Sequence, residues 1–474
     1  MVSKNEDLNL YSLYIIKDYL SINEENNENE LRILLHQLNK EYLLYLIELL
    51  NKNNKKLSYV ILWILLNVSY IDINEILFDS NTDIIYKIAT FLGRNKKDKI
   101  LTYRGLWLLR NITTKNNKIK EILLKYNIIG YFNDIYDIYN LDNEFIHNLL
   151  LCIGNFTINP NEEYIMQYLS FVKMIKSQLF PSTYLKRLNR YIIFIYNLSS
   201  LNSKELLNEL LKEEIYKNLI NIYPFHDNNI FNRIDESEKE SNNYIYNMKL
   251  LILKILGKIL SIEDEEESVI QRLIDYGIIN FLNKIIDNSE NDMKIIKNGT
   301  FCISNICTGD YQHINKLYIS GIFVKLINIG NNIYKIIKGD NSNIGTAEKK
   351  CLYDTFREIC YVFSLTIINS TYENLLPFIK SNDYIIIIFI IEALNIFKKK
   401  NELIDLYLNA IYHLVNYDQI IEEFNSNIRV SVFTISFSEF MDRNGIKSIL
   451  EFFILNKNNE ISKLAEKIYD IIYK

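Results

Sequence analysis

The sequence predicts an all-α fold built as a one-dimensional array of helical repeats. Three observations carry this. Pro (4) and Gly (13) are scarce among 474 residues, so the frequent turns an all-β chain needs are missing. Two Trp-to-Asn pairs, Trp63 with Asn67 and Trp107 with Asn111, occupy positions i and i+4 of apolar stretches, which share one helix face. The two pairs stand 44 residues apart, and a period of about 40–47 residues belongs to stacked helical repeats.

The pattern continues along the chain. After Trp63 and Trp107, the equivalent positions are Leu151 with Asn155, Ile193 with Asn197, Lys254 with Lys258, Phe301 with Asn305, and Tyr361 with Leu365. The intervals are 44, 44, 42, 61, 47 and 60 residues. The two long intervals contain polar insertions, Asp227 to Asn243 and Gly339 to Lys349, expected as loops on the rim of the array. A second feature repeats with the first. Gly277, Gly321 and Gly445 each precede an apolar helix, and Gly there lets the chain turn through a left-handed conformation. A repeat thus reads as short helix, Gly turn, second helix, loop and third helix, and only the third helix carries the Trp/Asn face. About ten repeats fit the chain as a single solenoid over 1–474. The first is partial, with Asp7 to Leu20 as its last helix, and the tenth ends in Glu460 to Tyr473.

Composition excludes several function classes. The net charge of −5 offers no overall attraction for nucleic acid. Cys152, Cys302, Cys307, Cys351 and Cys360 form no CxxC pair and show no zinc spacing, so they read as structural thiols in a reducing compartment. The start of the sequence, Met1-Val2-Ser3-Lys4-Asn5-Glu6, is not a signal peptide. The longest apolar stretch, Tyr384 to Ile391, is far shorter than the roughly 20 residues that span a bilayer, and is expected as a buried helix. His36, His147, His226, His313 and His413 are scattered, and no phosphate-cradling loop, GxSxG or HExxH is present. An enzyme, a cofactor and a metal are therefore not expected. The acidic run Glu263 to Glu267 precedes an apolar helix, where acids favour a helix N-terminus; a rim patch for basic segments is the alternative.

An indole supplies a flat wall for an aliphatic stem or a cation, and an asparagine amide both donates to and accepts from a peptide backbone. Stacked in register, such pairs make a groove for an extended peptide. The competing reading is that the aromatics are core and the amides cap neighbouring loops.

The ordered motifs resemble those of the importin-α family of armadillo-repeat nuclear-import adaptors over most of the chain. Gly105-Leu106-Trp107-Leu108-Leu109-Arg110-Asn111-Ile112 resembles the family's AWALxNI helix. Leu253 to Ile259 resembles LRAIGNI, Phe301 to Gly309 resembles WTISNITAG, and Asn444 to Tyr469 resembles the closing repeat. The resemblance implies a right-handed superhelix of about ten armadillo repeats binding lysine-rich nuclear localisation signals, in the cytoplasm and nucleus. It implies a major groove site at Trp63, Asn67, Trp107, Asn111, Asn155 and Asn197. It implies a minor site at Phe301, Asn305, Glu358 and Tyr361. In that reading indoles stack on signal lysines, asparagines hold the peptide backbone, and basic cargo is the partner. Two departures stand out. Lys115 follows Asn111 where the family has a lysine-binding aspartate, and residues 1–50 hold no Lys/Arg run of the kind that recruits importin-β. The rival expectation is a divergent armadillo scaffold for another extended segment, neutral or acidic, with no transport role.

Overall fold

The structure, a computed structural model, describes residues 11, 13–17, 40–50, 52, 54–70, 82–114, 116–181, 183–201, 203–222, 238–262, 269–287, 292–339, 345–428, 436–455 and 459–473. Among the described residues every regular element is helical. They divide into two compact units, Met1–Leu251 and Ile252–Lys474, and the division falls inside one long helix.

The N-terminal unit is a stack of three-helix repeats. Its helices are α1 (Lys40–Leu50), α2 (Lys55–Tyr70), α3 (Thr82–Asn95), α4 (Lys99–Thr113), α5 (Asn117–Lys125), α6 (Ile128–Tyr139) and α7 (Asn143–Thr157). A 3-10 turn (Glu162–Tyr164), α8 (Ile165–Lys176), α9 (Leu185–Ser199), α10 (Lys204–Lys212), α11 (Ile215–Ile222) and the first part of α12 (Glu238–Leu260) follow. The third helices α2, α4, α7 and α9 pack on one another in that order. Each buries one face: on α7, Phe145, Ile146, Leu149, Leu150, Cys152, Ile153 and Phe156 are all in the core. Burying each such side chain contributes about 1.5–3 kcal/mol, which no single repeat could collect alone. The edge of the stack is zipped by a recurrent ion pair. Asp98 and Asp142 cap α4 and α7 through the Leu101 and Phe145 amides, and each also meets a lysine of the preceding third helix. The pairs are Lys55–Asp98 at 2.9 Å and Lys99–Asp142 at 2.6 Å.

The C-terminal unit repeats the plan. After the end of α12 come α13 (Val269–Asp275), α14 (Ile278–Asp287) and α15 (Met293–Cys307). Next are α16 (Tyr311–Ile319), α17 (Ile322–Lys338), α18 (Thr346–Asn369), α19 (Tyr372–Ser381), α20 (Ile385–Ile396) and α21 (Asn401–Ile428). The last repeat is α22 (Phe437–Arg443), α23 (Ile446–Ile454) and α24 (Asn459–Tyr473). The third helices α15, α18, α21 and α24 again pack in sequence.

Gly277, Gly321 and Gly445 all have positive φ, at 101°, 76° and 81°, as the turn reading requires. The same left-handed turn before the second helix is made by Asn127, Glu214 and Tyr384, which no glycine announces. Nothing would touch a Cβ added at Gly321, so its cost is purely conformational. Gly321→Ala is therefore expected to destabilise the C-terminal unit by about 1–2 kcal/mol, read as a lower urea midpoint. An unchanged midpoint would show that the turn does not need glycine.

Two expectations need correction. Residues 238–243 and 346–349, read as loop, are helical; they extend the third helices α12 and α18 to 23 and 24 residues, against 15 for α15. A polar, charged segment continues a helix when that turn projects into water. The apolar stretch is the start of α20, with Ile386, Ile387, Phe389, Ile390 and Ile391 buried. Among the described residues no single helix is long and apolar enough to cross a membrane, though the bent pair around 372–380 and 385–396 passes the test together. Lys115, the acidic run 263–267 and most of Asp227–Asn243 lie outside the described residues.

Candidate peptide-binding faces

Side-chain amides tie several third helices to the one before. Asn111 Nδ2 donates to Ser69 Oγ (3.0 Å), and Asn155 Nδ2 to the Arg110 carbonyl (2.9 Å) and Thr113 Oγ1 (3.2 Å). Asn197 Nδ2 donates to Thr157 Oγ1 (3.2 Å), and Asn305 Nδ2 to the Gly257 carbonyl (2.8 Å). The sequence left these amides between holding a peptide backbone and capping neighbouring loops. The structure commits their N–H side to the stack, leaving Oδ1 as the atom able to accept from a peptide N–H. Asn67 differs, because its Nδ2 is buried with no hydrogen-bond partner among the described residues. In the repeat of Tyr361 the amide sits one turn later than expected. Leu365 is buried, and Asn369 Nδ2 donates to the Cys307 carbonyl (2.9 Å).

The aromatic positions line the same faces. Trp107 is 50% exposed, which core packing does not explain. Phe301 is 38% exposed and lies on the preceding third helix, where a Cβ at Gly257 would come within 2.7 Å of its ring. Trp63 is less open, and the chain's own Lys17 holds its ammonium 5.6 Å from the indole centroid. Tyr361 is half-buried on α18.

Charge separates the two faces. In the N-terminal unit the positive charge of Arg110, three residues after Trp107, acts on His147 of α7 and on Arg190 of α9, three residues before Ile193. Lys186, one turn before Arg190, joins them. Arg104 is set apart: it stacks on Tyr59, 4.2 Å from the ring centroid, and donates to its hydroxyl (2.8 Å). None of Arg110, Lys186 and Arg190 has a carboxylate partner among the described residues. Arg190 Nε and His147 Nδ1 are buried without a hydrogen-bond partner among the described residues. Burial, then Lys186, Arg190 and Arg110, hold the His147 imidazole down at about 4. Sequence reasoning missed this cluster, since its members lie far apart in a lysine-rich chain.

The sign of the resulting pH dependence follows. The unfolded chain protonates His147 near 6.5, while the folded chain resists until about 4. As pH falls the unfolded state binds the proton first, so stability present above 6.5 is lost between 6.5 and 4. His147→Gln is expected to flatten the fall in thermal midpoint between pH 7 and 4.5 relative to wild type. Parallel curves would contradict the burial of a neutral imidazole.

In the C-terminal unit a cleft between third helices carries carboxylates instead. Tyr361 and Ile368 of α18 face Glu402, Asp405, Asn409 and His413 of α21 across a cleft of about 420 Å³. Glu402 and Asp405 are exposed and in no ion pair among the described residues. Burial, then Glu358 and Glu402, raise the Tyr361 hydroxyl above the usual phenol range. Glu358 itself is engaged: Arg357 Nη2 donates to its Oε1 at 2.8 Å, and Arg357 and Lys297 both hold Asp354. Of the carboxylates around Tyr361, Glu358 is paired with Arg357, whereas Glu402 and Asp405 are in no ion pair among the described residues. No group of three or more metal-ligating side chains forms among the described residues. All five cysteines are free thiols, four of them buried and Cys351 half-buried. Burial pushes the Cys307 thiol up to about 12.

No protein-family model matches the chain, and no curated protein sequence matches it. Among solved structures, the crystal structure of an engineered protein from a structural-genomics consortium is similar over 100% of this chain and 97% of its own, with a TM-score of 0.66 and 13% identity. That likeness concerns the fold. A designed armadillo-repeat protein in complex with a (KR)4 peptide is 18% identical over 58% of this chain and 99% of its own, with a TM-score of 0.42.

Proposed function

We propose that the chain is an armadillo-type scaffold that holds extended peptides against its third helices. One observation carries the reading. Half-exposed aromatics, Trp107 and Phe301, recur four residues before asparagines whose N–H groups are already engaged, leaving Oδ1 for the peptide. An extended strand is the ligand whose unpaired backbone N–H groups such a row of acceptors fits. Calorimetric titration of the full chain with unstructured 12-residue peptides that are lysine-rich, glutamate-rich or serine-rich tests it. At least one is expected to bind with Kd of roughly 1–100 μM, and to bind at least tenfold more weakly to Trp107→Ala or Phe301→Ala. No heat from any of the three at millimolar concentration would sink the reading.

A second, narrower reading is an importin-α-like adaptor moving between cytoplasm and nucleus with lysine-rich cargo and an importin-β partner. The open carboxylates Glu402 and Asp405 beside Tyr361 favour lysine at the C-terminal unit. The unpaired cations around Trp107 disfavour it at the N-terminal unit, where the family resemblance put the main site. Adding the chain to permeabilised cells with a lysine-tagged fluorescent cargo should raise nuclear accumulation if transport is its role. Cargo left cytoplasmic, with added importin-β, would reject it.

A further inference from the structure

We propose that the third-helix face of the N-terminal unit binds an acidic peptide segment, its carboxylates received by Arg110, Lys186 and Arg190. This rests on the extended-peptide reading and reverses the ligand charge that the motifs suggested for the same helices. Three successive third helices contribute: Arg110 from α4, His147 from α7, and Lys186 and Arg190 from α9. The three helices are joined in turn, α7 to α4 by the Asn155-to-Arg110 and Asn148-to-Tyr103 bonds (2.8 Å for the latter) and α9 to α7 by the Asn197-to-Thr157 bond.

The cations are unpaired in a chain rich in acids. The protein carries 58 Asp and Glu against 53 Lys and Arg, and several lysines of this unit are matched. Lys55, Lys96, Lys99, Lys173 and Lys176 all meet carboxylates. Arg110, Lys186 and Arg190 meet none among the described residues, although all three are half-buried. A partly desolvated charge without a counter-ion is costly, and a buried Arg190 Nε with no acceptor adds to that cost. An incoming carboxylate would relieve both, because a guanidinium presents paired N–H donors that match its two oxygens. Beside the cluster, the half-exposed Trp107 and the free Oδ1 atoms of Asn111 and Asn155 supply a wall and backbone acceptors. Those acceptors call for a peptide rather than a nucleic acid, which has no row of backbone N–H groups to offer.

Fluorescence anisotropy with labelled glutamate-rich and serine-rich 12-residue peptides tests the assignment on the full chain. The glutamate-rich peptide should bind at least tenfold more tightly, and weaken as salt rises. Arg110→Gln and Arg190→Gln should each lower its affinity at least tenfold while leaving the serine-rich peptide's affinity unchanged and the thermal midpoint no lower. Lys186→Gln, at the edge of the cluster, should give a smaller loss in the same direction. Equal binding of both peptides, indifferent to these substitutions, would keep the scaffold reading and overturn the acidic-segment assignment. Silence from both of these peptides while a lysine-rich one binds would overturn the acidic-segment assignment alone, and silence from all three would overturn both. A single-stranded oligonucleotide that binds, and loses binding in Arg190→Gln while the acidic peptide is inert, would also overturn it.

Discussion

Arg187→Ala is expected to destabilise the N-terminal unit by about 3–5 kcal/mol, the largest stability effect of any single substitution considered. Arg187 is 5% exposed, and among the described residues no carboxylate accompanies it. Its Nη1 donates to the Asn140 carbonyl at 2.6 Å, its Nη2 to the Tyr136 hydroxyl at 2.7 Å, and its Nε to the Tyr191 hydroxyl. The two hydroxyls also meet each other at 2.7 Å. One side chain on α9 thus pins the loop between α6 and α7. Truncation opens a cavity and leaves a carbonyl and two hydroxyls short of a partner. Tyr191→Phe should cost less, about 1.5–3 kcal/mol, by taking one acceptor from a buried charge. Arg187→Met fills the space and should fall below the alanine variant. Urea unfolding followed by tryptophan fluorescence reads this directly, since Trp63 and Trp107 both lie in the N-terminal unit. A loss below 1 kcal/mol for Arg187→Ala would show that the guanidinium does not hold the repeats together.

The largest effect on binding is expected from reversing the acids of the C-terminal cleft. Glu402→Lys with Asp405→Lys should weaken a lysine-rich 12-residue peptide by at least thirtyfold and leave a serine-rich one within twofold. Both carboxylates are exposed and unpaired among the described residues, so replacing them strands no partner and should preserve the fold. Their position opposite Tyr361 sets an acid beside an aromatic face, which suits an ammonium on an aliphatic stem. Glu358→Gln is the contrasting variant. Its carboxylate is held by Arg357, so its loss should lower stability more than peptide affinity. The opposite ranking, with Glu358 dominating binding, would return the lysine site to the position the motifs suggested.

The period and helical class were legible because burial imposes them. Trp63 and Trp107 with their asparagines mark one helix face twice, and Gly277, Gly321 and Gly445 mark a turn that only special backbone geometry permits. Asn127, Glu214 and Tyr384 make that turn without glycine, so half of its occurrences were invisible. Register survived insertions imperfectly. The polar stretch before α18 lengthens the helix rather than looping out, and the inter-repeat amide moves from position 365 to Asn369. Charge was the least legible property. Arg110, His147, Lys186 and Arg190 span a long stretch of sequence and act on one another only because third helices stack. Glu402 and Asp405 gain meaning only from Tyr361 on the neighbouring helix. Motifs report which helix face is shared, whereas the sign of the field on it depends on residues that no local spacing links.

The account's central claim is that peptides lie along the third helices. A serine-rich 12-residue peptide bearing a photo-reactive benzophenone, cross-linked to the full chain and mapped by mass spectrometry, tests it most directly. Cross-links should fall on third-helix residues such as Trp107, Leu151, Phe301 and Tyr361, and be competed by the unlabelled peptide. Cross-links on exposed residues of other helices, such as Met166 of α8 or Ile319 of α16, would contradict the claim.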